Sequence, residues 1–242
     1  MTGTILTMGG GGFSMADDVS VPAPLDDLLL SLVPVPRGAD GPPRVCFVGT
    51  ASGDSPGYIE RFETAFAGRA ETSTVQLFDY GTIPGGDLRA HVLAQDVIYV
   101  GGGSTANLLV LWRLHGLDAL LREAAGAGTV LTGISAGMNC WYDASVTDSY
   151  GPLAGLSDGV GLLPGSACPH YDGEAERRPT YLDLVATGRL PDGYAADDGA
   201  ALLWRDGELV EAVSERPGAR AFRVRRQGDE AVEEPLDVRL LA

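Results

Sequence analysis

The sequence predicts an α/β fold: a doubly wound, mainly parallel sheet followed by a C-terminal β-hairpin region. Three observations predict it. Over roughly the first 140 of the 242 residues, short apolar and β-branched runs alternate with stretches of helical spacing, the rhythm of βαβ units. Glycine-rich loops follow three of those runs, at residues 9–13, 101–105 and 133–137, where the carboxyl edge of a parallel sheet carries its ligand loops. Beyond them the rhythm changes, and Asp206-Gly207 separates two apolar runs in the manner of a hairpin turn.

The first strand, residues 4–7, runs into Gly9-Gly10-Gly11-Gly12-Phe13. Four glycines after a strand signal a close backbone approach or a sharp turn. The run is neither a dinucleotide fingerprint nor a P-loop, because G-x-G-x-x-G with its trailing acid and Gly-Lys-Ser/Thr are both missing. A helix is expected at 25–32, with Asp26 and Asp27 in its first turn, where the helix dipole favours acids. Residues 34–43 read as a loop and 45–49 as a buried strand, followed by the polar turn Thr50-Ala51-Ser52-Gly53-Asp54. Tyr58, Ile59, Phe62, Ala65 and Phe66 share helical spacing. Strands at 74–77 and 97–100 flank a short helix at 88–93; helices at 106–114 and 117–125 precede a strand at 129–132. A helix is expected at 138–142, a strand at 160–163 leading through Pro164-Gly165, and a helix at 179–187. The hairpin pairs 200–204 with 209–214, and edge strands at 221–225 and 238–241 are separated by the turn Gln227-Gly228-Asp229. Without repeats or a linker, residues 1–242 read as one domain.

Composition narrows the function. A formal charge of −16 argues against nucleic acid and anionic membrane surfaces as partners. No apolar run reaches the ~18 residues that span a bilayer. The N-terminus carries no basic stretch ahead of its apolar residues, so no signal peptide is expected and the cytoplasm is the expected location. Cys46, Cys140 and Cys168 are too few for a disulfide framework and lack zinc-site spacing. No metal or cofactor is expected.

The chemistry centres on residues 128–142, GTVLTGISAGMNCWY. A buried strand ends in Gly133-Ile134-Ser135-Ala136-Gly137, the G-x-S-x-G pattern of a nucleophile elbow between a strand and a helix. Small residues on both sides let a strained turn lift the serine hydroxyl toward a helix N-terminus, where free N–H groups can hold an oxyanion. The same serine also reads as an ordinary N-cap. A nucleophilic serine needs a base. His91 and His115 fall in helical patterns that read as packing or surface positions, whereas His170 lies in a loop behind Pro169. For the acid that would orient that base, Asp198 beside Gly199 competes with Asp197, Asp148 and Asp172.

At this point the residues resemble a known family. Gly102-Gly103-Ser104-Thr105 after a strand, the elbow at 133–137, Gly165 through Pro169-His170-Tyr171-Asp172 and the Asp198-Gly199 turn follow one another as in the peptidase E group. This is the S51 family of serine peptidases, with a class I glutamine-amidotransferase-like fold and cyanophycinase as a relative. The opening glycine run and Thr50-Ala51-Ser52-Gly53-Asp54 fit the same branch, and the similarity runs from Gly9 to about Ser214. It implies Ser135 as nucleophile, His170 as base, the N–H groups of Gly103 and Ala136 as oxyanion hole and Asp198 as the triad acid, with Asp148 matching an alternative carboxylate. It also implies short peptide substrates, and leaves assembly as a homodimer open.

The chain departs from the family pattern in two places. Ser104-Thr105 stands where Asn-Thr is common, and the arginines after the histidine, Arg177 and Arg178, are displaced, with Glu176 near the expected spot. Residues 173–178 are expected to line the pocket for the first substrate residue, with Ser104, Glu176, Arg177 and Arg178 as its substrate-binding groups. Glu174 and Glu176 are expected to neutralise the arginines, so little preference for N-terminal aspartate is expected. A cyanophycinase-like isopeptide hydrolase and a catalytically silent binding domain are the competing readings. A glutamine amidotransferase is disfavoured, since the elbow carries serine rather than cysteine.

Overall fold

The computed structural model describes residues 3–33, 35–36, 41–78 and 84–242; the expected loop at 34–43 lies partly outside them. Along the chain run β1 (Thr4–Met8), α1 (Gly12–Met15), α2 (Pro24–Ser31), β2 (Arg44–Val48), α3 (Pro56–Phe66), β3 (Glu71–Val75), α4 (Leu88–Leu93) and β4 (Val97–Val100). Then come α5 (Thr105–His115), α6 (Leu117–Gly126), β5 (Val130–Ile134), α7 (Ala136–Asn139), β6 (Tyr142–Thr147), β7 (Ala154–Leu156) and β8 (Leu163–Cys168). The chain closes with α8 (Arg177–Ala186), β9 (Gly193–Ala196), β10 (Ala200–Arg205), β11 (Glu208–Ser214), β12 (Ala221–Gln227), β13 (Glu230–Pro235) and β14 (Val238–Leu240).

Among these residues an eight-stranded sheet has the order β14-β11-β10-β1-β5-β4-β2-β3. Its β1-β5-β4-β2-β3 portion is parallel, and β10 joins it antiparallel to β1. Side chains alternate between the two faces, as a pleated strand requires. Ile5, Cys46, Val48, Ile98, Val100 and Leu131 pack with Val92, Leu108, Trp112 and Leu121 from α4–α6. Leu6, Met8, Val45, Phe47, Val97 and Tyr99 pack with Leu25, Leu29, Phe62 and Phe66 from α2 and α3. Helices on both faces make the sheet doubly wound, as the alternating sequence predicts.

A second sheet, β13-β12-β9-β8-β6-β7, is attached through the first core by Trp141, Tyr142, Leu163 and Ala167. Its other face buries Val146, Cys168, Phe222 and Val224 against Tyr181, Leu184 and Val185 of α8. The hairpin of β10 and β11 turns where expected. Asp206 (φ 50°) and Gly207 (φ 84°) are both left-handed, the pair of dihedrals a type I′ turn requires.

Several expectations are corrected. The strand expected at 74–77 starts earlier, at Glu71; it is the sheet edge, where polar residues need no burial. The helix expected at 138–142 ends at Asn139, and Tyr142 opens β6, a mostly buried strand of the second sheet. The strand expected at 160–163 is instead β8. Pro164-Gly165 lies inside it rather than turning, because the left-handed Gly165 (φ 85°) lets the strand press against the Asp192 carbonyl. Strands β7, β9 and β13 have no counterpart in the sequence reading. The turn at 227–229 joins β12 to β13, whereas Val238–Leu240 pairs with β11 in the other sheet.

Register decides where the site forms. Met8 lies opposite Ile134, and Val100 opposite Gly133, so the glycine stretches after β1, β4 and β5 emerge level at one edge. In the second sheet Cys168 lies opposite Ala195. His170 and Asp198 each follow the end of one of these neighbouring parallel strands by two residues.

Candidate functional site

The candidate nucleophile sits at a strained turn. Ser135 has φ 58° and ψ −112° and opens α7, yet its side chain makes no capping hydrogen bond. The N-cap alternative therefore does not describe its hydroxyl. A Cβ on Gly133 would collide with the Gly137 backbone, and one on Gly137 with the Val100 carbonyl. Both glycines of G-x-S-x-G are thus fixed by close backbone approach.

Ala136 opens the helix, so its N–H is one of those without an intrahelical acceptor. Around Gly103 (φ 135°) the neighbouring N–H groups are occupied: that of Gly102 donates to the Tyr58 hydroxyl (3.2 Å) and that of Ser104 to the Ala51 carbonyl (2.8 Å). The Gly103 N–H has no such partner among the described residues. Ser104 caps α5 through its side chain, which accepts from the Asn107 N–H.

A cavity of about 450 Å³ brings Ser135, His170, Gly103, Ser104, Asp148, Ser149, Glu174 and Arg177 together. His170 is also strained, with φ 51°. Its Nδ1–H donates to Asp198 Oδ1 at 2.6 Å, and both side chains are largely buried. The glycine run after β1 explains this seat. The Gly9 carbonyl accepts the His170 N–H (3.1 Å), and the Gly10 carbonyl accepts the Gly199 N–H (2.9 Å). A Cβ on Gly10 would occupy the place of the Asp198 carboxylate. The close approach signalled by four glycines is thus to the 170 and 198 loops.

The competing carboxylates have other partners. Asp197 accepts the Arg220 N–H (2.9 Å). Asp172 accepts the Asp198 N–H (2.8 Å) and pairs with Arg216, whose guanidinium also donates to the Asp198 carbonyl (Nε 3.1 Å, Nη2 2.9 Å). Burial raises the Asp172 carboxyl, but the Asp198 N–H and Arg216 outweigh it and hold it below the ordinary carboxylate range. Asp148 is exposed in the cavity and is not hydrogen-bonded to His170 among the described residues.

The expected substrate-pocket residues divide. Arg177 lines the cavity with its side chain 4 % exposed, and donates three hydrogen bonds to Glu174 (Nη2–Oε1 2.9 Å, Nη2–Oε2 3.0 Å, Nε–Oε2 3.2 Å). Arg178 turns away, as α8 directs successive residues to different sides. It pairs with Glu233 of β13 and lies over the Tyr171 and Phe222 rings. Glu176 is exposed just before α8 and is not among the cavity's lining residues. These two assignments are corrected. Arg216 was missed, because a lone arginine after a strand carries no signal of what it will hold.

His91 lines a separate cavity of about 300 Å³ at the opposite, amino-terminal ends of β2 and β3. There it contacts the Ser73 hydroxyl (3.2 Å), a packing role as expected. The three cysteines are buried and unpaired. Among the described residues no group of three or more His, Cys, Asp or Glu is arranged to hold a metal ion, and no helix is long and apolar enough to cross a membrane.

A serine elbow at the carboxyl edge of a mainly parallel sheet, faced by a histidine–aspartate pair, sits on a class I glutamine-amidotransferase-like fold. Sequence comparison gives the family: residues 5–212 match peptidase family S51, and the chain belongs to it. It is 49 % identical over 239 residues to the uncharacterized peptidase YgaJ of Bacillus subtilis strain 168, covering 98 % of both chains. It is 28 % identical over 199 residues to peptidase E of Streptomyces coelicolor, covering 80 % of this chain and 77 % of that one. Among solved structures, a peptidase from an acI-B1 actinobacterium superposes with a TM-score of 0.69 at 18 % identity, covering 98 % and 95 % of the two chains. A candidate peptidase E protein of Listeria monocytogenes EGD-e gives 0.60 at 22 %, covering 87 % and 98 %. These two share the fold.

Proposed function

We propose that the chain is a serine-type exopeptidase that hydrolyses short peptides. The observation that carries this reading is the hydrogen bond from His170 Nδ1 to Asp198 (2.6 Å) beside a serine on a strained elbow in the same cavity. Family membership supports a peptidase, and so does the likeness to a relative named peptidase E.

With Asp198 holding Nδ1–H, the free Nε2 of His170 takes the Ser135 proton as Oγ attacks the scissile carbonyl. The developing oxyanion is held by the N–H groups of Gly103 and Ala136. His170 then passes the proton to the leaving amine, and water attacks the acyl-serine by the same route in reverse. A glutamine-type thioester has no place in this scheme. Purified protein is expected to hydrolyse members of a dipeptide panel, and Ser135→Ala to lower kcat by at least ~10³-fold without unfolding. Turnover retained by Ser135→Ala would remove serine catalysis.

Specificity follows from the charges in the cavity. Arg177 is spent on Glu174, and Asp148 adds an exposed carboxylate. A buried substrate carboxylate needs a cation free to bind it; an α-ammonium group or a basic side chain does not. Ala-Leu and Arg-Leu are therefore expected to be cleaved with kcat/KM at least equal to that of Asp-Leu. A preference for Asp-Leu above about tenfold, some 1.4 kcal/mol, would mean that Arg177 leaves Glu174 for the substrate.

A further inference from the structure

The glycine run lies between two sets of partners. On one side it carries the His170 and Gly199 backbones, as described above. On the other, the Gly12 N–H donates to Glu215 Oε1 (2.8 Å) and the Phe13 N–H to Asp26 Oδ2 (2.8 Å). Glu215 joins the two sides, since its own N–H donates to the Gly199 carbonyl (2.9 Å) while Oε2 accepts the Leu25 N–H (3.2 Å). Asp26 is 1 % exposed, and its Oδ1 has no hydrogen-bond partner among the described residues.

We propose that Asp26 is a positioning residue for the His170–Asp198 pair: with a proton on Oδ1 it seats the glycine run under the 198 loop, and loss of that proton unseats the run. An ionised carboxylate oxygen buried without a donor is costly, and a second carboxylate nearby makes it more so. Beyond the Phe13 N–H, only the charge of Arg69 favours the ionised form of Asp26, and burial outweighs both. Glu215 approaches from the end of β11, Tyr99 from β4 and Tyr58 from α3. Burial pushes both phenols up, so they stay neutral. Arg69 is tied to Asp27 at the surface, and Arg61 to the Phe13 and Ala16 carbonyls. Burial accordingly pushes the Asp26 carboxyl up to about 7 against the lowering effect of the Phe13 N–H, with Glu215 adding to the rise. The proton belongs on Oδ1, because Oδ2 accepts the Phe13 N–H.

The effect on turnover rests on the serine-peptidase reading; the structural effect does not. The test is therefore an NMR titration of the Gly10, Gly12 and Gly199 amides and the Asp26 carboxyl carbon, alongside kcat against pH. In wild type and in His170→Ala the glycine amides are expected to follow one ionisation near pH 7. That response is expected to vanish in Asp26→Asn, a permanently neutral isostere, and to move to lower pH in Glu215→Gln, which removes the neighbouring charge. In Asp26→Asn the alkaline fall of kcat is expected to shift upward by about one pH unit or more, with KM unchanged. Glycine amides that still titrate in Asp26→Asn would overturn the proposal. If Asp26→Asn does not fold, an unshifted titration in Glu215→Gln overturns it equally. A glycine response without peptide hydrolysis upholds the seat and rejects the peptidase reading instead.

Discussion

Ser135 and His170 are two of the four non-glycine residues with positive φ among those described. A side chain held there costs on the order of 1–3 kcal/mol. Two such residues in one cavity mark where the chain gives up local comfort for placement. Asp198 is the aspartate hydrogen-bonded to the imidazole beside them. Asp198→Asn is expected to lower kcat by about 10³–10⁴-fold, since the amide can hold His170 in the wrong tautomer. Asp148→Asn, lacking contact with the imidazole, is expected to stay within about tenfold. Steady-state kinetics on one dipeptide decides the order, and a larger loss in Asp148→Asn would move the acid role there.

At the scale of elements, the elbow depends on how closely β5, α7 and β4 approach. Gly137→Ala forces a methyl group against the Val100 carbonyl and is expected to destabilise by about 1–3 kcal/mol or more. Gly57, in the first turn of α3, has open space around its Cβ position. Gly57→Ala is expected to stabilise by roughly 0.4–1 kcal/mol through the unfolded chain. Thermal melts of the two variants should move in opposite directions; equal shifts would contradict the packing described. The 172 and 198 loops are joined by the Arg216 fork. Arg216→Ala is expected to reduce kcat about tenfold with little change in KM, and Arg216→Lys to recover only part, because an ammonium cannot span both acceptors as a planar fork does. A KM effect alone would make Arg216 a substrate contact instead.

For the whole molecule, ionisation sets a pH window. Asp26 has a folded-state pKa raised from 3.8 to about 7. Its contribution is therefore fully present below about pH 4 and is lost as pH rises through 7, an effect of roughly 3–5 kcal/mol. Burial raises Asp54, Asp197 and Glu215 in the same direction. Asp172 is held low and acts oppositely: its contribution is present above its unfolded value and is lost as pH falls through the depressed one. The formal charge of −16 adds self-repulsion at neutral pH, which salt screens. Denaturant midpoints are thus expected to be higher near pH 5.5 than near pH 8, with the gap narrowing in salt. A midpoint rising steadily toward pH 8 would contradict the burial of Asp26.

Much of this was legible in the chain itself. Buried β-branched runs and helical spacing mark the doubly wound sheet, because a strand covered on both faces must be apolar throughout. Glycines at 133 and 137 mark the elbow, and Asp206-Gly207 the hairpin, because those backbones exclude side chains or demand positive φ. Local chemistry of this kind survives without partners. The second sheet did not announce itself: β9 is four residues long and β13 is rich in glutamate, and only pairing with β8 and β12 makes strands of them. Four glycines predicted a close approach, but not that His170 and Asp198 would be what approached. Glu176 and Arg178 looked like pocket residues by their distance along the chain from His170. The fold instead leaves Glu176 in solvent and sends Arg178 to Glu233, because α8 packs on the second sheet. Which aspartate meets the imidazole was open among four in the sequence. The parallel register of β8 and β9 decided it, since contacts between residues 28 apart depend on strand pairing rather than on local preference.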